Sequence, residues 1–146
     1  MDSDRSLAAR LMAHVGGEIH ATVVGVGVID GELSDSTATW CEIAGARTWY
    51  VPHSSIVMVR GMRSDAARAS TWPHLARLSF ASPLRHLAEG REQAIVHMRD
   101  GTRSEGFIAE VGVDYVEMLL LNRSKVVLTM AHVASASKGG ISPAAN

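Results

Sequence analysis

The sequence predicts a mostly β protein built as two five-stranded small barrels in tandem, each preceded by a short helix. Three observations carry that expectation. First, the chain repeats itself. Gly31-Glu32-Leu33-Ser34-Asp35 followed by Trp40-Cys41-Glu42-Ile43 returns 75 residues later as Gly106-Phe107-Ile108-Ala109-Glu110 followed by Tyr115-Val116-Glu117-Met118. After a turn two residues longer in the second copy, Val51-Pro52-His53-Ser54-Ser55-Ile56 matches Leu128-Thr129-Met130-Ala131-His132-Val133. A repeat of this length means two copies of one small β unit. Second, the turn between strands four and five of each copy is too short for a long hairpin and suits a bend around a barrel corner. Third, each long second strand has a glycine inside it, Gly31 or Gly106, and a strand-interior glycine marks a bulge or sharp bend.

Each element has a local reason. Residues 3–15 read as a helix with an apolar stripe of Leu7, Leu11, Met12 and Val15, capped by Ser3 or Asp4 and ended by Gly16-Gly17. Strands follow at 18–24, 28–35, 37–43, 48–51 and 56–60, the fourth stopped by Pro52, which cannot donate to a ladder. Ser82-Pro83 opens a second helix, serine as N-cap and proline first in the helix, and Glu89-Gly90 closes it. Strands at 93–99, 102–111, 115–121, 125–129 and 133–137 form the second set. Asp100-Gly101 predicts a type I′ hairpin turn, with positive φ at both residues. The expected organisation is a first helix and β module at 1–61, a linker at 62–82, a second helix and β module at 83–138, and a tail at 139–146.

Bulk properties narrow the function classes. Of 146 residues 47% are apolar, too many for a disordered chain, and the net charge of −1 argues against a strongly basic nucleic-acid-binding surface. A lone cysteine, Cys41, excludes an internal disulfide and a multi-cysteine metal site, and its strand neighbours favour a buried structural thiol. The acidic start, with no apolar core behind it, is not a secretory signal, and no stretch approaches the ~18 apolar residues of a membrane span. The expected location is the cytoplasm. No nucleophile elbow, P-loop or dinucleotide fingerprint is present, and the seven histidines show no paired ligand spacing. The expectation is therefore a non-enzyme without cofactor or metal.

The second copy carries the clearest family likeness: Val96-His97-Met98-Arg99-Asp100-Gly101, then Glu105-Gly106-Phe107-Ile108, then Val111-Gly112-Val113-Asp114-Tyr115-Val116-Glu117. This pattern resembles the Sm-like (LSm/Hfq) group of the SH3-like barrels, and the arrangement is similar to two-module proteins of actinobacteria. The first copy keeps Gly31, Trp40 and Glu42 and has Thr37-Ala38-Thr39 in place of the Gly-x-Asp turn. The resemblance implies RNA binding in rings of six or seven units, with strand four of one unit paired to strand five of the next. It places RNA contacts in the loop between strands two and three and the loop between strands four and five. Neither Asp-x-x-Met-Asn nor a Lys-His or Arg-Gly pair stands in those loops here.

The candidate contact residues for RNA or a partner are His53, Ser54, Trp49, Asp114, Met130 and His132. His53 and His132 fall in the same turn of the two copies, one residue apart in register, and histidine can stack on an unpaired base; a solvated turn histidine is the simpler reading. Asp114 reads first as a turn residue. One of the adjacent Trp49 and Tyr50 must face outward from its strand, toward a ligand or toward the other module. Arg60, Arg63, Arg68, Arg77, Arg85 and Arg91 form the one basic stretch, a phosphate or acidic-partner site or a solvated linker face. Two functions stay open: a non-catalytic module binding single-stranded RNA, or a protein-interaction and assembly module without RNA recognition. Self-association by strand-edge pairing fits both, and no membrane partner is expected.

Overall fold

The computed structural model describes residues 2–68, 72 and 78–139. Among them, helix α1 (Leu7–His14) precedes β1 (Glu18–Val23), β2 (Gly27–Ser36), β3 (Trp40–Ala44), β4 (Arg47–Pro52) and β5 (Ile56–Arg60). Helix α2 (Ala81–Glu89) precedes β6 (Gln93–Met98), β7 (Arg103–Val111), β8 (Tyr115–Leu120), β9 (Lys125–Thr129) and β10 (Val133–Gly139). All ten strands are antiparallel members of one sheet in the order β5-β1-β2-β3-β4-β10-β6-β7-β8-β9. Neither helix is long and apolar enough to cross a membrane.

Within each half the strand order is the same, the fifth strand lying beside the first. A three-residue 3-10 turn, His53–Ser55 or Met130–His132, joins the fourth strand to the fifth. In a flat sheet those strands, four spacings apart, would lie roughly 19 Å from each other. Four residues from Pro52 to Ile56 span at most about 14 Å fully extended, and less in a 3-10 turn. Each half must therefore curl back on itself.

Several local expectations are corrected. Ser6, not Ser3 or Asp4, caps α1, its Oγ accepting from the Ala9 amide at 3.0 Å. The second helix begins one residue before Ser82, with Phe80 at the cap position and no side-chain cap. Thr37 to Thr39 form a turn rather than the start of β3, because the Thr37 hydroxyl accepts from the amides of Thr39 and Trp40. Of Asp100-Gly101 only Gly101 has positive φ, at 92°. Asp100 instead accepts from the Thr102 amide at 2.9 Å, which makes a longer loop closed by a left-handed glycine. Arg91 and Arg123 also take positive φ.

The strand glycines are not themselves the bulged residues. The bulges lie beyond them, between Leu33 and Asp35 and between Ile108 and Glu110. At Gly31 a Cβ would come 2.5 Å from the Ala44 carbonyl oxygen, and at Gly106 it would strike the Leu119 carbonyl oxygen. The glycines let a neighbouring backbone approach.

Two cores result. Leu11, Ile19, Leu33, Ile43 and Val51 centre the first; Leu84, Leu87, Val96, Val116 and Met118 centre the second. Trp40 and Tyr50 come from the first half yet belong to the second core. The alternation of β4 explains this: Trp49 and Val51 turn to their own core while Tyr50 turns across the junction. Between them β4 and β10 pair, with Tyr50 opposite Ala136 and Trp49 opposite Ser137. Substituting Gly31→Ala is expected to cost about 1–3 kcal/mol, since the Ala44 backbone has to move. Urea unfolding of wild type and variant measures this, and an unchanged midpoint would show that the approach is not tight.

Candidate interaction surfaces

The two turns singled out from sequence hold their residues differently. His53 is largely enclosed, its amide donating to the Thr39 carbonyl at 2.8 Å. Burial drives its pKa down to about 4, against the opposing pull of the Ala38 and Trp40 backbone. It is neutral at pH 7, and its buried Nε2 has no partner among the described residues. Ser54 is exposed, and its carbonyl accepts from Arg99 of the second half at 3.4 Å. In the second turn the half-buried Met130 packs against the second core, while His132 is exposed. His53 opens its turn and His132 closes its own, so the two stand two positions apart rather than one.

Asp114 is exposed in the turn before β8, and its carbonyl accepts from the Met130 amide at 2.9 Å. Its surroundings are acidic. Glu110 and Glu117 face each other across β7 and β8. The Tyr115 hydroxyl donates to Glu110 at 2.8 Å, and that bond raises the phenol pKa. The first half has the same cross-strand carboxylate pair, Asp35 opposite Glu42. There it lines a groove at the junction with Trp40, Tyr50, His86 and Lys138. Cys41 is fully buried, and burial, with Asp35 adding to it, pushes the thiol pKa up to about 12.

The basic residues spread over several elements. Arg63 donates to the Ala13 carbonyl at 2.6 Å, at the carbonyl end of α1 where a cation is favoured. Arg68 lies with Ala67 and Trp72 around a cleft against the same helix. Arg60 is exposed at the end of β5, and Arg85 on α2. Arg77 lies outside the described residues. Among the described residues no three His, Cys, Asp or Glu side chains are grouped to hold a metal ion.

Trp49 is an intermodule contact. Its ring centroid lies 5.3 Å from that of His97, and Arg47 beside it donates from Nε to the Ser137 hydroxyl at 3.0 Å. Burial, with Arg103 and Arg47 nearby, lowers the His97 pKa. The sequence points to pairing of a fourth strand with a fifth, but it singles out turn residues rather than the side chains of the outer edges. The fifth strand of the second half, β10, is enclosed between β4 and β6, whereas its counterpart β5 ends the sheet and leaves Val57 68% and Met58 45% exposed. The fourth strand of the first half buries Tyr50 to 5%, whereas Val127 at the same place on β9 is 64% exposed. The signal was present in the strand sequences, aromatic in β4 and aliphatic in β9. No family model and no curated protein matches the chain.

The His53 environment has a pH consequence. Between its folded pKa of about 4 and its ordinary 6.5 the unfolded chain holds a proton that the folded chain does not. Stability is therefore lost as pH falls through that window. Melting temperatures across pH 7 to 4 are expected to fall more steeply for wild type than for His53→Asn, and parallel curves would count against a buried neutral imidazole.

Proposed function

We propose that the chain is a non-catalytic Sm-like module, each half a small SH3-like barrel, whose work is protein assembly through strand edges. The β4–β10 ladder carries this reading. It joins a fourth strand to a fifth strand, hides both edges and lets Trp40 and Tyr50 complete a neighbouring core. The two strands left at the ends of the sheet, β5 and β9, are one edge of each kind. Their exposed Val57, Met58 and Val127 occupy positions that are buried at the internal joint. An unpaired edge with apolar side chains is a template for another strand.

Within each half, the fifth strand beside the first, the curl forced by the short turn and the close approach at Gly31 and Gly106 support the barrel reading. RNA recognition is the weaker reading. His53 is enclosed, and Glu110, Asp114 and Glu117 around the second-half turn repel phosphate.

Light scattering over a range of protein concentrations tests the assembly reading. The expected mass rises above that of one chain, and Val57→Lys or Val127→Lys weakens the association at least about tenfold, or 1.4 kcal/mol. Both sites are exposed, so the fold tolerates the change. A wild-type chain that stays single at its highest soluble concentration and captures no protein strand would overturn the proposal, as would salt-sensitive RNA binding that both lysine variants retain.

A further inference from the structure

The two halves present the same sheet face in two states, one covered and one open. In the second half the face is a patch of β10, β6 and β7 in which Ser137 lies opposite Ile95, Ile95 opposite Glu105, Ser135 opposite His97, and His97 opposite Arg103. Strand β4 supplies its cover: Trp49 stacks on His97, and Arg47 binds the hydroxyl and carbonyl of Ser137. The first half repeats this register position for position, with Arg60 opposite His20, His20 opposite Asp30, Met58 opposite Thr22, and Thr22 opposite Val28. These six residues line an open cleft of about 410 Å³ beside the outer edge of β5, an edge that pairs with no strand among the described residues.

From this correspondence we infer that the open β5 edge is a docking site for an extended segment of another protein carrying an acidic residue two positions before an aromatic one. The inference rests on the edge-pairing function proposed above and names its partner. The aromatic residue takes the place that Trp49 fills on the second half, above Thr22, Val28 and Met58. The acidic residue takes the place of Arg47. There the second half offers neutral Ser137, but the first half offers Arg60, which makes no ion pair among the described residues. Asp30 bonds the His20 ring at 2.6 Å and makes no ion pair with that guanidinium among the described residues. Backbone pairing to β5 supplies affinity and the two side chains supply selectivity, as in other strand-addition complexes.

A second copy of the chain can pair its backbone with this edge but leaves the cleft beside it unfilled. Laid on β5 in the register of the internal joint, β9 would bring Val126 to the Trp49 position and Ser124 to the Arg47 position. One is too small to fill the cleft and the other carries no charge.

Three dye-labelled peptides, titrated into the full chain and read by fluorescence anisotropy, test the inference: Asp-Thr-Trp-Tyr-Val, Arg-Thr-Trp-Tyr-Val as in β4, and Ser-Lys-Val-Val-Leu as in β9. The acidic-aromatic peptide is expected to bind wild type at least about tenfold tighter than either of the others. Arg60→Glu, an exposed change, is expected to reverse the preference between the two aromatic peptides. Equal or tighter binding of the β9 peptide overturns the inference and leaves edge assembly standing, with a second copy as the partner. An unchanged preference in Arg60→Glu also overturns it. If no peptide binds, the inference falls; if the wild-type chain is then also a single species by light scattering, the edge-pairing function falls with it.

Discussion

An unpaired strand edge is a row of backbone donors and acceptors, and β4 and β10 remove one such row from each half by pairing with each other. The rest of the molecule depends on that ladder. Each half is small enough that its own core is near the lower limit for stability, and the ladder lets one core borrow from the other half. Tyr50 sits opposite Ala136, a small partner that leaves room for the phenol ring, and Trp40 donates from its indole to the Leu78 carbonyl at 3.0 Å. Gly25 admits the Met98 backbone at the other end of the junction, where any side chain would collide. Hydrogen bonds, shared core and close backbone contact all act at one seam.

The seam also accounts for how the side chains of the two halves differ. A fourth strand that is always covered can carry Trp49 and Tyr50, because their apolar surface never meets water for long. A fourth strand that ends the sheet cannot do so without inviting indiscriminate pairing. Strand β9 accordingly carries valines there, flanked by Lys125 at its start. The fifth strands differ in the same sense. Strand β10 has small Ala and Ser residues that accept a close neighbour, and β5 has Met58 and Arg60.

Much of this was legible in the sequence, for identifiable reasons. The repeat could be read because glycines, acids and apolar positions keep their order even when identities do not, and strand positions follow from that order. Burial of Cys41 follows from its apolar strand neighbours, and alternation along β4 leaves one of Trp49 and Tyr50 to face a ligand or the other module; in the structure both meet the second half, Tyr50 in its core and Trp49 on His97. What could not be read depends on contacts between segments far apart. Ser3, Asp4 and Ser6 are equally good caps by composition, and only the path of the chain makes Ser6 the one that reaches Ala9. Gly31 reads from sequence as a bulge or bend, and only the position of Ala44 shows that it admits a neighbouring backbone. His53 looked like an exposed turn residue because nothing local says that the 37–39 turn folds over it.

The candidate site lies away from the turns for the same reason. Reading the turns as ligand loops treats each copy as an isolated unit, and in isolation His53, Asp114 and His132 are the polar residues on display. Once the copies are joined, the first turn is partly occupied with holding the second half, through Arg99 on the Ser54 carbonyl, and the second turn lies beside carboxylates that disfavour phosphate. The surfaces with unmet capacity are then the edges and the face beside them. They are apolar where the equivalent positions are buried, and charged at Arg60 where the equivalent position is neutral. A residue whose counterpart is satisfied by a known neighbour shows what kind of neighbour it lacks. In a tandem repeat the covered copy thus serves as the template for reading the open one.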